Sequence, residues 1–156
     1  MKWKIKEMDT YLQAKKYVDT ALIPLIPIAF TDDMKMTVSM GDFIALMAEE
    51  IERQFHGRVF LLPPFTYLKD EEDTKRIERL KRWLSTLKEN SFKEIILLTS
   101  DYVWKNSDKE IDEHLIWLPA LPLENMDKQH QIQVIQEQIK QIIPLLMDKW
   151  KHIKFD

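Results

Sequence analysis

Along this chain, short unbroken apolar blocks alternate with stretches in which apolar residues recur every three or four positions. The strongest block lies in TALIPLIPIAFTDD, residues 20–33, where apolar positions 21–30 run directly into acids. A continuous apolar run closed by polar turn residues is the pattern of a strand buried on both faces, as in parallel sheets. Pro24 and Pro27 each remove a ladder donor, so the expectation is an irregular strand, bulged or near a sheet edge. Three further blocks predict strands: residues 58–62, stopped by Pro63-Pro64; residues 93–98, running into Thr99-Ser100-Asp101; and residues 114–121, closed by Pro119 and Pro122. Residues 1–6 alternate charge with apolar side chains, as a short edge strand does.

Helical periodicity fills the gaps. Thr10 and Gln13 stand at capping-box spacing and open a helix with Met8, Tyr11, Leu12 and Val18 on its inner side. After a polar segment, residues 31–38, Ser39 is placed to cap a second helix, with Asp42 in its first turn. Met40, Phe43, Ile44, Met47, Ile51 and Phe55 recur on one side of it, and Gly57 is placed to close it in a left-handed cap. A third helix carries Ile77, Leu80, Leu84 and Leu87 inward and stops near Asn90. A short helical stretch falls within 102–113, and the last helix starts near Asp127, with Pro144 set to kink it. The order α-β-α-β-α-β-β-α predicts an α/β fold: a three-layer domain, residues 1–156, with a mostly parallel sheet of about four strands.

That architecture gathers the C-terminal strand ends on one edge, where open α/β sheets bind their ligands. The candidate crevice residues are Asp32 and Asp33 after the first strand, Asp42 in the next helix, Tyr67 after the second strand, Ser100 and Asp101 after the third, and Glu124 after the fourth. Tyr102 and Trp104 join them as aromatics on crevice loops, able to wall a small-molecule pocket or anchor a protein partner. Asp32, Asp42 and Asp101 are the candidate metal ligands, since hard carboxylate oxygens suit Mg²⁺, Mn²⁺ or Ca²⁺. The same Asp and Ser residues also serve as ordinary helix caps and turn formers.

Composition narrows the chemistry further. Two glycines, Gly41 and Gly57, cannot write a P-loop or a G-x-G-x-x-G cradle. With no cysteine there is no disulfide framework, thiolate nucleophile or thiolate metal site. The four histidines lack zinc-site spacing, and no serine stands in G-x-S-x-G. A net charge of −3 argues against a protein built to hold nucleic acid. The basic run of Lys75, Arg76, Arg79, Lys81 and Arg82 is interleaved with acids rather than with base-stacking aromatics. Neither a membrane span nor a signal peptide can be drawn, so a soluble cytoplasmic protein is expected.

The segments YVDTALIPLIPIAF (17–30), RVFLLPPFTYL (58–68) and WLPALPLENM (117–126) resemble the YpiF-type family of spore-forming Gram-positive bacteria. That resemblance spans essentially the whole chain and implies a cytoplasmic protein of a family without assigned activity. A second outline is similar to the creatininase-like amidohydrolases, through Ile26-Pro27-Ile28-Ala29, Met40-Gly41-Asp42 and Leu62-Pro63-Pro64. It implies an α/β fold and metal ligands at Asp42 and Asp32. Where those enzymes carry Glu-x-His, however, this chain has Asp32-Asp33-Met34, and Thr99-Ser100-Asp101-Tyr102 replaces their glycine-rich loop. Two functional expectations follow: a non-catalytic domain binding a protein partner or small ligand at the C-terminal edge of the sheet, and a carboxylate-dependent metal hydrolase.

Overall fold

A computed structural model describes residues 1–153. The chain runs α1 (Ile5–Gln13), β1 (Thr20–Ile28), α2 (Met34–Gln54), β2 (Val59–Leu61), β3 (Phe65–Leu68), α3 (Asp73–Glu89), β4 (Glu94–Thr99), a 3-10 turn (Tyr102–Trp104), α4 (Lys109–His114), β5 (Leu115–Trp117) and α5 (Lys128–Trp150). All strand pairings are parallel, in the order β2-β1-β4-β5, with β3 also on β1.

Alternation along each strand makes the three layers. Leu22, Ile96 and Leu98 turn toward one face, where they pack with Phe43, Ile44 and Met47 of α2 and with Ile135, Ile139 and Ile142 of α5. Their neighbours Ala21, Ile23, Ile95 and Leu97 turn the other way, onto Leu80 and Leu84 of α3 and Ile111 of α4. Both faces of β1 and β4 are therefore dry, which is why their sequences are nearly continuous in apolar residues.

β1 is the central strand, not an edge, and its prolines explain how. The Leu62 N–H donates to Leu22 O at 3.0 Å and Lys69 N–H to Ile28 O at 3.0 Å, so even-numbered residues of β1 face the β2 and β3 side. Pro24 thus points its missing donor at the gap between β2 and β3, where Pro63-Pro64 interrupts the neighbour. Pro27 faces the β4 side beyond the last pair of that ladder, Pro24 with Leu98. Each proline sits outside the paired residues of the ladder that its nitrogen faces. The second sheet block is split for the same reason: β2 ends at Leu61, and β3 resumes the ladder after the prolines.

Helix starts differ from the capping signals. α1 begins at Ile5, ahead of Thr10, and residues 1–4 contribute a single bridge, Lys2 with Leu61, rather than a strand. α2 begins at Met34, so the polar segment supplies its first turn and Asp42 lies inside the helix. The block at 114–121 yields three strand residues, because His114 closes α4. α5 starts as expected, with the Asp127 carboxylate accepting from His130 N–H at 2.8 Å.

Gly57 is not a left-handed cap. No glycine has positive φ, and a Cβ built on Gly57 meets nothing within 4 Å. Gly57→Ala should therefore raise stability by about 0.4–1 kcal/mol by restricting the unfolded chain, visible as a higher urea midpoint with an unchanged slope.

Candidate functional site at the C-terminal rim

Because every strand runs the same way, the ends of β1, β3, β4 and β5 share one edge of the sheet. The chain passes from β1 outward to β2 and β3, then returns across β1 to β4, so the order reverses between β1 and β4. This is the switch point at which α/β sheets open a crevice.

The residues expected there divide into two sets. Tyr67, Asp101 and Trp104 are brought together, but in the packed layer beneath α3. The Tyr67 hydroxyl donates to Asp101 Oδ2 at 2.7 Å, and Asp101 Oδ1 accepts from Val103 N–H at 3.1 Å, capping the 3-10 turn. Asp101 N–H is itself held by Thr99 Oγ1 at 2.9 Å. Trp104 is fully buried and stands edge-on to Tyr67, with ring centroids 5.2 Å apart. Burial first, and then the Asp101 carboxylate, raise the Tyr67 hydroxyl above its ordinary pKa, so it stays a proton donor.

Arg76 completes this cluster. It falls in the basic run of α3, yet it is only 2% exposed. Its guanidinium carbon lies 4.9 Å from the Trp104 ring centroid, and its Nη2 pairs with Asp73 at 2.9 Å. A cation at that distance from an indole face is attracted by the ring quadrupole. Three others of the basic run are paired with acids: Lys75 with Glu72 at 3.9 Å, Arg79 with Glu71 at 2.8 Å, and Lys81 with Asp108 at 2.7 Å. The sequence shows five cations at helical spacing; only the packing of Trp104 beneath α3 reveals that one of them is interior.

The second set, Ser100 apart, is exposed. Asp32, Asp33 and Asp42 face solvent, and Glu124 reaches Lys35 at 3.9 Å, which brings the loop before α5 against the first turn of α2. Among the described residues, the group of three acid or imidazole ligand atoms lying within 4.8 Å of one another is Glu7, Glu52 and His56. These sit where β2 begins, away from this rim, and Asp32, Asp42 and Asp101 form no such group. Ser100 is buried with an unpartnered Oγ. Tyr102 is 64% exposed and meets Trp117 edge-on at 5.9 Å, with the Lys105 ammonium 4.8 Å over the Trp117 ring.

Exposed apolar side chains share the connections at the strand ends with these acids. Phe30 is 76% exposed, and Met34, Val38, Leu68 and Val103 are exposed with it. They come from the β1–α2 connection, the first turns of α2, the end of β3 and the turn after β4. The sequence signal for this surface was Phe30 at the end of the longest apolar block and the M-x-M-x-V run that follows. With α2 expected to begin at Ser39, that run looked like loop filling.

Fold and rim together define a parallel three-layer α/β domain. A family model described as "Protein of unknown function (DUF2487)" matches residues 9–150, and the chain belongs to this family. It is 38% identical over 151 residues to the uncharacterized protein YpiF of Bacillus subtilis (strain 168), covering 96% of this chain and 98% of the relative. No solved structure matches the chain. No described helix is long and apolar enough to cross a membrane.

Proposed function

We propose that this protein is a non-catalytic α/β binding module that docks a protein partner on the C-terminal rim of its sheet. The observation that carries the reading is the set of exposed apolar side chains there: Phe30, Met34, Val38, Leu68, Tyr102 and Val103. Single exposed apolar residues are commonplace, but several on one functional edge mark an interaction surface. Unbranched methionine adapts to the shape of a partner, and Tyr102 offers a ring with a polar tip, as contact anchors do. Asp101, which a hydrolytic reading would use, is already engaged by Tyr67 and by the backbone.

A photo-crosslinking residue at position 102, introduced in cells, is expected to trap one discrete partner, whereas the same residue at Gln136 on α5 traps none. Phe30→Asp combined with Leu68→Asp should abolish trapping while changing stability by no more than about 0.5 kcal/mol, because both positions face water. Undiminished trapping by that variant would count against the rim. Turnover in amidase, esterase and phosphatase screens that Asp42→Asn abolishes would refute the non-catalytic reading and favour the carboxylate-dependent hydrolase.

A further inference from the structure

A separate groove lies at the β2 edge of the sheet, between α1 and α3, with a volume of about 880 Å³. Its floor is aromatic and buried: Phe60 is 1% and Phe92 9% exposed, with centroids 6.2 Å apart. Tyr11 on the α1 side stands edge-on to Phe60 at 4.6 Å, and Trp83 on α3 forms the facing wall. The residues of α3 and its C-cap that line it run from Arg79 to Asn90, a length of about 16 Å at 1.5 Å per residue.

Its charge is one-sided. Among the described residues, Lys15, Arg79 and Arg82 line it and no carboxylate does, although the chain carries 26 acids against 23 Lys and Arg. Arg79 is held by Glu71, so the charge available to a ligand is that of Lys15 and Arg82, neither of which has an ion-pair partner among the described residues. A concave, aromatic-floored cleft of roughly 300–1,000 Å³ with a few polar groups at its margin is the form of a small-molecule site rather than a flat protein interface.

We propose that this groove binds a small amphipathic anion: an aromatic or acyl body seated on Phe60 between Tyr11 and Trp83, with its acidic head at the cationic rim. Apolar burial supplies the affinity, while Lys15 and Arg82 select an anion over a neutral molecule of the same shape. The site is independent of the rim described above, because it uses other helices and other side chains.

The test uses the full chain and the dye 8-anilinonaphthalene-1-sulfonate, followed by fluorescence at constant salt. Saturable one-site binding that dodecanoate displaces is expected. Lys15→Glu combined with Arg82→Glu should weaken it by about tenfold, equivalent to about 1.4 kcal/mol, whereas Lys128→Glu on α5 should not. Melting curves of each variant confirm that the fold persists, since all three lysine and arginine positions are exposed. The proposal is overturned by absent or non-saturable binding, by insensitivity to the double charge reversal, or by equal affinity for the neutral N-phenyl-1-naphthylamine. Displacement by an oligothymidylate or an acidic peptide but not by dodecanoate also overturns it, transferring the groove to a macromolecule.

Discussion

Asp101→Ala is expected to destabilise the fold by about 3–4 kcal/mol, measured by urea unfolding. The carboxylate is 3% exposed and accepts from two donors, the Tyr67 hydroxyl and the Val103 amide. Removing it deletes both of these bonds and leaves the hydroxyl of a buried tyrosine without its acceptor, where water cannot compensate. It also frees the start of the 3-10 turn that places Trp104, a residue with no exposed surface. Tyr67→Phe removes one donor and should cost less, about 1.5–3 kcal/mol. The decisive quantity is the coupling. In the Tyr67→Phe background the hydroxyl is already gone, so Asp101→Ala should cost at least about 1 kcal/mol less than in the wild type. Strictly additive costs would mean that the two groups do not act as a unit.

The same cluster shows what a linear sequence conveys and what it hides. The apolar block at 21–30 and the helical stripes were enough to predict a parallel three-layer sheet, because burial on both faces leaves few other options for such patterns. The C-terminal edge followed from the alternation of strands and helices. Less visible was depth. Tyr67 and Trp104 were expected on crevice loops, but they pack inward because Phe65 and Tyr67 alternate onto the α3 face of a strand hidden behind Pro63-Pro64. Arg76 looked like one more cation on a solvated helix face. Its burial depends on the indole of Trp104, 28 positions away in sequence and supplied by another loop. Helix starts depart from the pattern where Thr10 and Ser39 offer caps that the chain does not use. α1 begins at Ile5, and α2 at Met34 with Thr37 Oγ1 bonded back to Met34 O at 2.9 Å. The aromatic groove was illegible for a simpler reason: Tyr11, Phe60, Trp83 and Phe92 belong to four separate segments and share no motif.

Glu52→Gln should lower stability at neutral pH by about 1 kcal/mol, and the loss should fade in acid. Glu52 is 4% exposed, and its Oε1 lies 2.8 Å from the Met1 amino group and 2.6 Å from His56 Nδ1. Burial alone would raise its pKa, but bonding and attraction to the amino group and to His56 outweigh that effect and hold it below the ordinary value of 4.5. A carboxyl whose pKa is lower in the folded state leaves the unfolded chain binding more protons, so stability rises with pH across that interval. The contribution of Glu52 is therefore complete above 4.5 and disappears as pH falls through the lower folded value. Glutamine keeps the shape and an acceptor oxygen but not the charge. The wild-type and Glu52→Gln urea midpoints should accordingly stand apart at pH 7 and converge below pH 4.5. A constant gap across that range would show that the side chain acts through packing, not charge. Glu137→Gln, at an exposed position of α5, serves as the control and should change stability by no more than about 0.5 kcal/mol.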